Sequence, residues 1–352
     1  MIEFSELPRN MLLIGDAYER LTGLPSSSVD CVISSPPYFA LRDYGEPGQM
    51  GNEATVTEWV HGLVKVFTEL RRVLKPTGGV WLNVGDSYSH HASEGARKKS
   101  LLLAPQRLAL ALAAEGWLIR NHVVWAKTNP MPSNVRDRLS NTHESIYFFT
   151  REGRYWFDLN AVREPHKAQH AHGRPKVPGL DVYPPPRSLP RRHGRNQDIN
   201  TGLNQLKASG MAGHPLGKNP GDVWLVSTAA YRGEHFATFP VRLVERPLLA
   251  TCPARTCTRC GQPWQRARQS INGRLLATGA LKPACTCRAG WRPGVVLDPF
   301  MGTGTVALAA EEYGRDWLGI ELSPAYAALA ELRLKEWRAT HAERKETYGT
   351  TQ

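Results

Sequence analysis

Ser34-Ser35-Pro36-Pro37-Tyr38 sets hydroxyls, two imide nitrogens and a phenol in a row. Proline lacks a backbone N–H, so a Pro-Pro turn leaves its carbonyls free to accept hydrogen bonds. Ser35 adds a hydroxyl and Tyr38 an aromatic face. Such a rigid acceptor pocket beside a stacking platform suits an exocyclic amine on a nucleobase. The amine lone pair is delocalised into the ring, and acceptors that grip its hydrogens return that pair to nitrogen. A base in a duplex reaches such a site only when drawn out of the stack, where Tyr38 can stack on it. A plain Pro-Pro turn closing a strand has the same sequence, so this motif alone leaves both readings open.

A second run, from Val295 through Asp298-Pro299-Phe300-Met301-Gly302-Thr303-Gly304-Thr305, reads as a strand entering a glycine turn and then a helix. Gly302, Gly304 and Ala307 satisfy the spacing of a dinucleotide fingerprint, and Glu321 stands 23 positions after Asp298, where a carboxylate can hold ribose hydroxyls. NAD and S-adenosylmethionine both suit this geometry, and charge separates them. Asp298 at the strand end would repel a pyrophosphate, whereas it favours the ammonium and sulfonium of S-adenosylmethionine. A methyl on a sulfonium is electrophilic enough for an amine to attack without a covalent enzyme intermediate. A strand, turn and helix with an Asp cap and no ligand is the plain alternative.

Five of the six cysteines fall between Cys252 and Cys287. Cys257-x2-Cys260 and Cys285-x-Cys287 are two pairs at the spacing of a tetrahedral structural zinc of the ribbon type, with Gly261 for the knuckle. Cys252 is left out of the four. Four thiolates leave no open position for a catalytic water. The alternatives are disulfides, which a cytosolic compartment disfavours, and unpaired structural cysteines. Cys31 lies mid-strand and no Pro-Cys pair exists, so methylation of a ring carbon through a thiolate is disfavoured.

The elements that must carry these residues alternate. LLIG (12–15), VDCVIS (29–34), VWLNV (80–84), HVVWA (122–126) and SIYFFT (145–150) read as strands. Apolar residues at 56, 59, 60, 63, 64, 67, 70 and 74 form one helical face, which Pro76 and Gly78-Gly79 stop. A second helix is expected over about 104–115, ending at Gly116. After VVLDPF (295–300) come a helix from Thr305 to Tyr313, the strand WLGIE (317–321), and a helix opening at Ser323-Pro324. Alternation of this kind predicts an α/β sheet with mostly parallel strands, written in two pieces. The expected division is a first half over 1–160, a basic insert over 161–234, a second half over 235–251 and 293–340, a cysteine-rich insert over 252–292 and a polar, frayed tail over 341–352.

Composition narrows the class. The chain has 352 residues, and Lys plus Arg exceed Asp plus Glu by 12, which favours a polyanionic partner, nucleic acid first. Between Arg163 and Pro220 ten Lys or Arg face three Asp or Glu. Arg174, Lys176, Arg187, Arg191, Arg192 and Arg195 there could neutralise phosphates. A solvated, partly disordered loop is the bland reading of the same segment. No run is long enough for a membrane span, and the acidic start lacks a signal-peptide pattern, so a cytoplasmic location is expected.

Taken together, these motifs resemble the S-adenosylmethionine-dependent DNA amino-methyltransferases, in the beta class whose catalytic motif precedes the cofactor motif. SSPPY (34–38) is similar to the catalytic tetrapeptide, implying catalytic roles for Ser35, Pro36, Pro37 and Tyr38. DPFMGTG (298–304) is similar to the cofactor loop. GDA (15–17), VWLNVGD (80–86), the segment 123–149, HFATFPVRLVERPL (235–248) and GIELSP (319–324) follow in family order, over about two thirds of the chain. The resemblance implies a Rossmann-like methyltransferase fold, permuted in sequence. It also implies that Asp16, Thr238, Phe239, Asp298, Pro299, Phe300, Gly302, Gly304, Thr305 and Glu321 hold S-adenosylmethionine. Asp16 would lie near the adenine, Thr238 and Phe239 over the methionine end, and Glu321 on the ribose. The basic insert stands where this family carries its target-recognition region. A serine before the two prolines is typical of members acting on cytosine N4, while Asp or Asn is more usual for adenine N6; adenine N6 is therefore the alternative target. Duplex DNA is the implied partner, with a homodimer and a cognate restriction endonuclease as further partners that the resemblance admits, and a bacterial or phage source. The rival readings are a catalytically silent DNA-binding protein on the same core and an NAD-dependent oxidoreductase.

Overall fold

A computed structural model describes residues 4–165, 214–228, 239–271 and 274–348. Thr238 and the insert cations Arg174, Lys176, Arg187, Arg191, Arg192 and Arg195 lie outside the described residues. The strands of the main sheet are β1 (Met11–Ile14), β2 (Val29–Ser34), β3 (Leu74–Val84), β4 (Leu118–Lys127), β5 (His143–Thr150), β6 (Val223–Val226), β7 (Val295–Asp298) and β8 (Asp316–Glu321). They lie in the order β1-β8-β7-β2-β3-β5-β4-β6. Only β5 runs antiparallel to its neighbours; every other pair is parallel. The helices are α1 (Ala17–Thr22), α2 (Val56–Val73), α3 (Ala104–Ala114), α4 (Val241–Thr251), α5 (Thr305–Glu312) and α6 (Pro324–Tyr348).

The apolar pattern explains the layers. Every residue of β2 is buried, as a central parallel strand covered on both faces requires. Val32 and Leu297 feed one core with α2 and α3, whereas Cys31, Ile33 and Val296 feed the other with α4 and α5. α2 starts with a capping box: Glu58 N donates to Thr55 Oγ1 and Thr55 N donates to Glu58 Oε2, both at 3.1 Å. Its buried stripe is Val56, Trp59, Val60, Leu63, Val66, Phe67, Leu70 and Val73. No described helix is long and apolar enough to cross a membrane.

Three boundaries differ from the sequence reading. β3 begins at Leu74, directly after α2, so Pro76 lies in the strand and not in a stop between helix and strand. VWLV (223–226), assigned to the basic insert, is the edge strand β6 beside β4; four residues are too few to show a period. α6 runs on to Tyr348, well into the tail expected from 341, because the Ala, Glu, Arg and Lys there are good helix formers.

The chain forms two compact units. The first holds Met1–Ala161, Gly221–Gln265 and Leu281–Gln352, and therefore the main sheet and all six cysteines. The second holds Val162–Pro220 with Arg266–Ala280. In it Glu164 and Lys218 pair backbones and side chains, and 269–271 and 274–276 form a hairpin.

β7 is the turning point of the sheet. From it the chain proceeds to β8 on one side, while β2 and β3 lie on the other. The carboxyl ends of β7 and β2 open a crevice there, the position where α/β sheets bind ligands.

Candidate functional site

Ser34 and Asp298 end the neighbouring strands β2 and β7. Ser34 Oγ donates to Asp298 Oδ1 at 2.6 Å, and Phe300 N donates to the same oxygen at 3.1 Å. The SSPPY turn and the glycine loop, 264 residues apart in sequence, are thereby held together. Asp298 Oδ2 is buried and has no partner among the described residues. Burial pushes the carboxyl up to about 7, and the nearby Glu321 adds to the rise.

The glycine loop turns through Gly302 and Gly304, with φ of +51° and +81°. A Cβ on Gly304 would press on Ala330 Cβ at 3.1 Å, so glycine there lets the loop pack on α6. Glu321, at the end of β8, accepts from Gly302 N at 2.7 Å and from Ser323 N at 2.9 Å. Burial raises its carboxyl above the usual range, and these backbone donors oppose the rise. Each of its oxygens keeps capacity for one further donor.

A cavity opens over this loop. Asp16, Ser35, Pro37, Pro299, Phe300, Gly302 and Glu321 line it, so the two motifs share one chamber. Asp16 also caps α1, accepting from Glu19 N at 3.0 Å. Pro36, Asp298, Gly304 and Thr305 are buried and do not line it, and Phe239 packs against the apolar core beside α4, also without lining the cavity. The sequence reading missed Tyr44, Gln49, Met50 and Tyr326 on the walls. Tyr44 and Tyr326 meet edge to face at 6.0 Å, framing an aromatic slot. Gln49 Oε1 holds the loop by accepting from Tyr44 N at 2.8 Å.

The fit to S-adenosylmethionine rests on three features. Buried Asp298 Oδ2 has no described donor. Gly302 has open space where a side chain would project. The wall carries carboxylate and aromatic groups and, among the described residues, no Lys or Arg.

Around Tyr38 the arrangement departs from a bare stacking platform. Its ring lies against Gly85, where a Cβ would come within 2.6 Å. Its hydroxyl donates to Glu144 Oε2 at 2.7 Å and accepts from Asn83 Nδ2 at 2.7 Å. Ser35 Oγ lies 3.1 Å from the same phenolic oxygen. Asn83 Nδ2 also donates to Glu144 Oε2 at 2.8 Å, and Lys127 Nζ pairs with Glu144 Oε1 at 2.6 Å. Burial and the Glu144 charge hold the phenol well above its ordinary range, so it stays protonated. Trp59 Nε1 occupies the Pro37 carbonyl at 2.9 Å, whereas no described residue donates to that of Pro36. The turn therefore offers fewer free carbonyls than its sequence suggests.

The other candidates separate. Asp86 accepts from Leu103 N and Ala104 N at 3.1 Å and so caps α3. Cys31 is fully buried and its thiol is pushed up to about 12, which makes it a core residue and no nucleophile. Cys257, Cys260, Cys285 and Cys287 bring all four Sγ atoms within 4.8 Å of one another, with Cys252 apart and buried. Tetrahedral thiolates at the usual zinc–sulfur distance lie ~3.8 Å apart, so a small closure completes that set.

Residues 29–332 match the family model of the N6/N4 DNA methylases. The chain belongs to that family. This methylase is 31% identical over 352 residues to the Type II methyltransferase M.SmaI of Serratia marcescens, covering 94% of this chain and 92% of that one. It is 33% identical over 346 residues to M.XycI of Xanthomonas campestris pv. cyanopsidis, covering 92% and 87%. Its fold is similar to that of the cytosine-N4-specific PvuII DNA methyltransferase, with a TM-score of 0.55 at 18% identity, covering 93% of this chain and 87% of the other. A DNA modification methylase from Thermus thermophilus, in complex with S-adenosyl-L-methionine, is similar at a TM-score of 0.50 and 22% identity, covering 93% and 95%. The methylase is thus an S-adenosylmethionine-dependent DNA methyltransferase acting on an exocyclic amine.

Proposed function

We propose that the methylase transfers a methyl group to the N4 amine of a cytosine drawn out of duplex DNA. The observation that carries this reading is the hydrogen-bond polarity at Ser35. Glu144 Oε2 can only accept, so the Tyr38 proton points to it. The phenolic oxygen then accepts from Ser35 Oγ, and the serine lone pairs are left for the cavity. Ser35 thereby acts as an acceptor for an amine hydrogen, and the Pro36 carbonyl, which no described residue occupies, takes the second. Both acceptors concentrate electron density on the amine nitrogen. S-adenosylmethionine, when bound, supplies an electrophilic methyl on sulfur and leaves as a neutral thioether. The proton that the amine loses passes from Ser35 Oγ through Tyr38 Oη to Glu144 Oε2, the carboxylate that Lys127 holds in place through its other oxygen.

Asp16, Asp298, Glu321 and the aromatic pair Tyr44 and Tyr326 would hold the cofactor, Asp298 toward its positive charge and Glu321 toward the ribose hydroxyls. The order of motifs, SSPPY before the cofactor loop, supports a Rossmann-like methyltransferase sheet permuted in sequence. The basic insert serves target recognition in this reading, and the Type II relatives support a role beside a cognate restriction endonuclease. Tritium transfer from labelled cofactor to mixed-sequence genomic duplex, followed by nucleoside mass spectrometry, tests the reaction. The expected product is N4-methylcytosine. A methyladenine peak would replace the base, and cofactor-binding protein without transfer to any genomic DNA would favour the silent DNA-binding protein.

The four clustered cysteines hold a structural zinc in the same reading. Lys75 Nζ links Asp30, at 2.6 Å, to the Gly261 carbonyl in the knuckle, at 3.4 Å, so the metal would steady a segment tied to the core. Metal analysis is expected to find about one zinc per chain, and Cys260→Ser with Cys287→Ser to lose it with a lower melting temperature. Fully active, equally stable metal-free protein would refute the zinc.

A further inference from the structure

Two loops leave the sheet edge that carries Ser35: residues 85–103, between β3 and α3, and residues 128–142, between β4 and β5. They pack on each other. Tyr88 Oη donates to Asn141 Oδ1 at 3.1 Å, Lys99 pairs with Asp137 at 2.8 Å, and the Arg138 guanidinium lies 3.7 Å over the Tyr88 ring. They are also fixed to the SSPPY turn, since Ser87 Oγ donates to the Phe39 carbonyl at 3.0 Å and Gly85 abuts the Tyr38 ring.

The surface so formed has an unusual make-up. Arg97, Lys98 and Arg136 are exposed and no described residue pairs with their side chains. Met131 and Leu139 are 88% and 90% exposed, the barest large apolar side chains among the described residues. Bare aliphatic side chains on cation-bearing loops that are fixed to the turn presenting Ser35 match duplex DNA on two counts. Cations meet phosphates, and an apolar wedge can fill the gap that an extruded base leaves in the stack.

We infer that these loops are the duplex-contacting surface around the target base: Arg97, Lys98 and Arg136 contact phosphates, and Met131 and Leu139 enter the stack. The inference rests on the proposed reaction on duplex DNA. It places DNA contacts on loops of the sheet unit, in addition to those expected of the basic insert.

The test uses the full-length protein and a fluorescein-labelled mixed-sequence duplex of about 30 bp, titrated over a range of salt. Lys98→Gln with Arg136→Gln is expected to make the slope of log K against log salt shallower by about two, and an unchanged slope overturns the phosphate contacts. Met131→Ser with Leu139→Ser is expected to keep the slope and the cofactor affinity but to lower tritium transfer to genomic duplex about tenfold. Leu139→Phe, which retains apolar bulk, restores transfer relative to Leu139→Ser. Equal transfer by the double serine variant overturns the wedge. A change of oligomeric state in that variant would make the patch a self-association surface and overturn the inference as well. The slope change in the Lys98→Gln, Arg136→Gln variant, together with wild-type protein that transfers no methyl, would sustain the phosphate-contacting surface and remove the reaction.

Discussion

Tyr38→Phe is expected to lower kcat for methyl transfer about a hundredfold while binding S-adenosylmethionine as the wild type does. Phenylalanine keeps the ring that a stacked base would need, so a platform role alone predicts little change. The loss follows from the hydroxyl. Without it, the Ser35 proton has no phenolic oxygen to bond to and is free to point at the amine, donor against donor. Glu144 also loses the chain that links it to the reacting centre. The cofactor is spared because Tyr38 does not line the cavity, whereas Ser35 and Pro37 do. Glu144→Gln acts in the same direction: Lys127 orients the amide oxygen toward itself, which turns the amide nitrogen, a donor, toward Tyr38. Single-turnover kinetics with saturating cofactor would measure both variants. A Tyr38→Phe enzyme with wild-type kcat would leave Tyr38 as a stacking surface and remove the relay.

What the sequence disclosed about the site was what depends on local chemistry. A strand running into Pro-Pro, a strand running into Gly-x-Gly, and two close cysteine pairs announce themselves because backbone geometry or metal spacing restricts the residue types. The helix face of α2 was legible for the same reason, although Val66 and Val73 are buried on it where Val64 is half-buried, and the buried Leu74 already belongs to β3. What could not be read was set by pairing across the sheet. Asn83 is one polar residue inside an apolar strand, and Glu144 and Lys127 sit at strand ends. Only the register that places Asn83 opposite Ile146 and Trp125 opposite Glu144 gathers them under Tyr38. Tyr44 and Met50 come from a loop, YGEPGQM, with no periodicity to mark it, and meet Tyr326 only through the fold. The ionisation of Asp298 was equally hidden, because the sequence shows a carboxylate but neither its burial nor its unpartnered oxygen.

That ionisation leads to a second large effect. Asp298→Asn is expected to weaken S-adenosylmethionine binding about a hundredfold, because a buried carboxylate with an unpartnered oxygen, directly behind the Pro299 and Phe300 wall of the cavity, is replaced by a neutral amide. The pH dependence has a definite sign. In the free protein burial holds the carboxyl at about 7, far above the ordinary aspartate value of 3.8. A cationic ligand favours the ionised form and draws that pKa down, so binding below pH 7 must first expel a proton. Affinity should therefore be flat above about pH 7 and fall by up to about tenfold per unit below it. The asparagine variant should lack this slope. Stability of the free protein runs the other way, since a carboxyl whose folded pKa is raised loses stability as pH climbs from 3.8 through 7. Wild-type melting temperature should fall across that window relative to the variant. Ser34 and Phe300 can still donate to the amide oxygen, so the variant retains the bonds that join β2 to the glycine loop. Calorimetric titration of both proteins from about pH 5.5 to about 8.5, in buffers of different ionisation enthalpy, counts the proton directly. Parallel pH profiles for the two proteins would mean that the cofactor's charge is met elsewhere, with Glu321 the next carboxylate to replace.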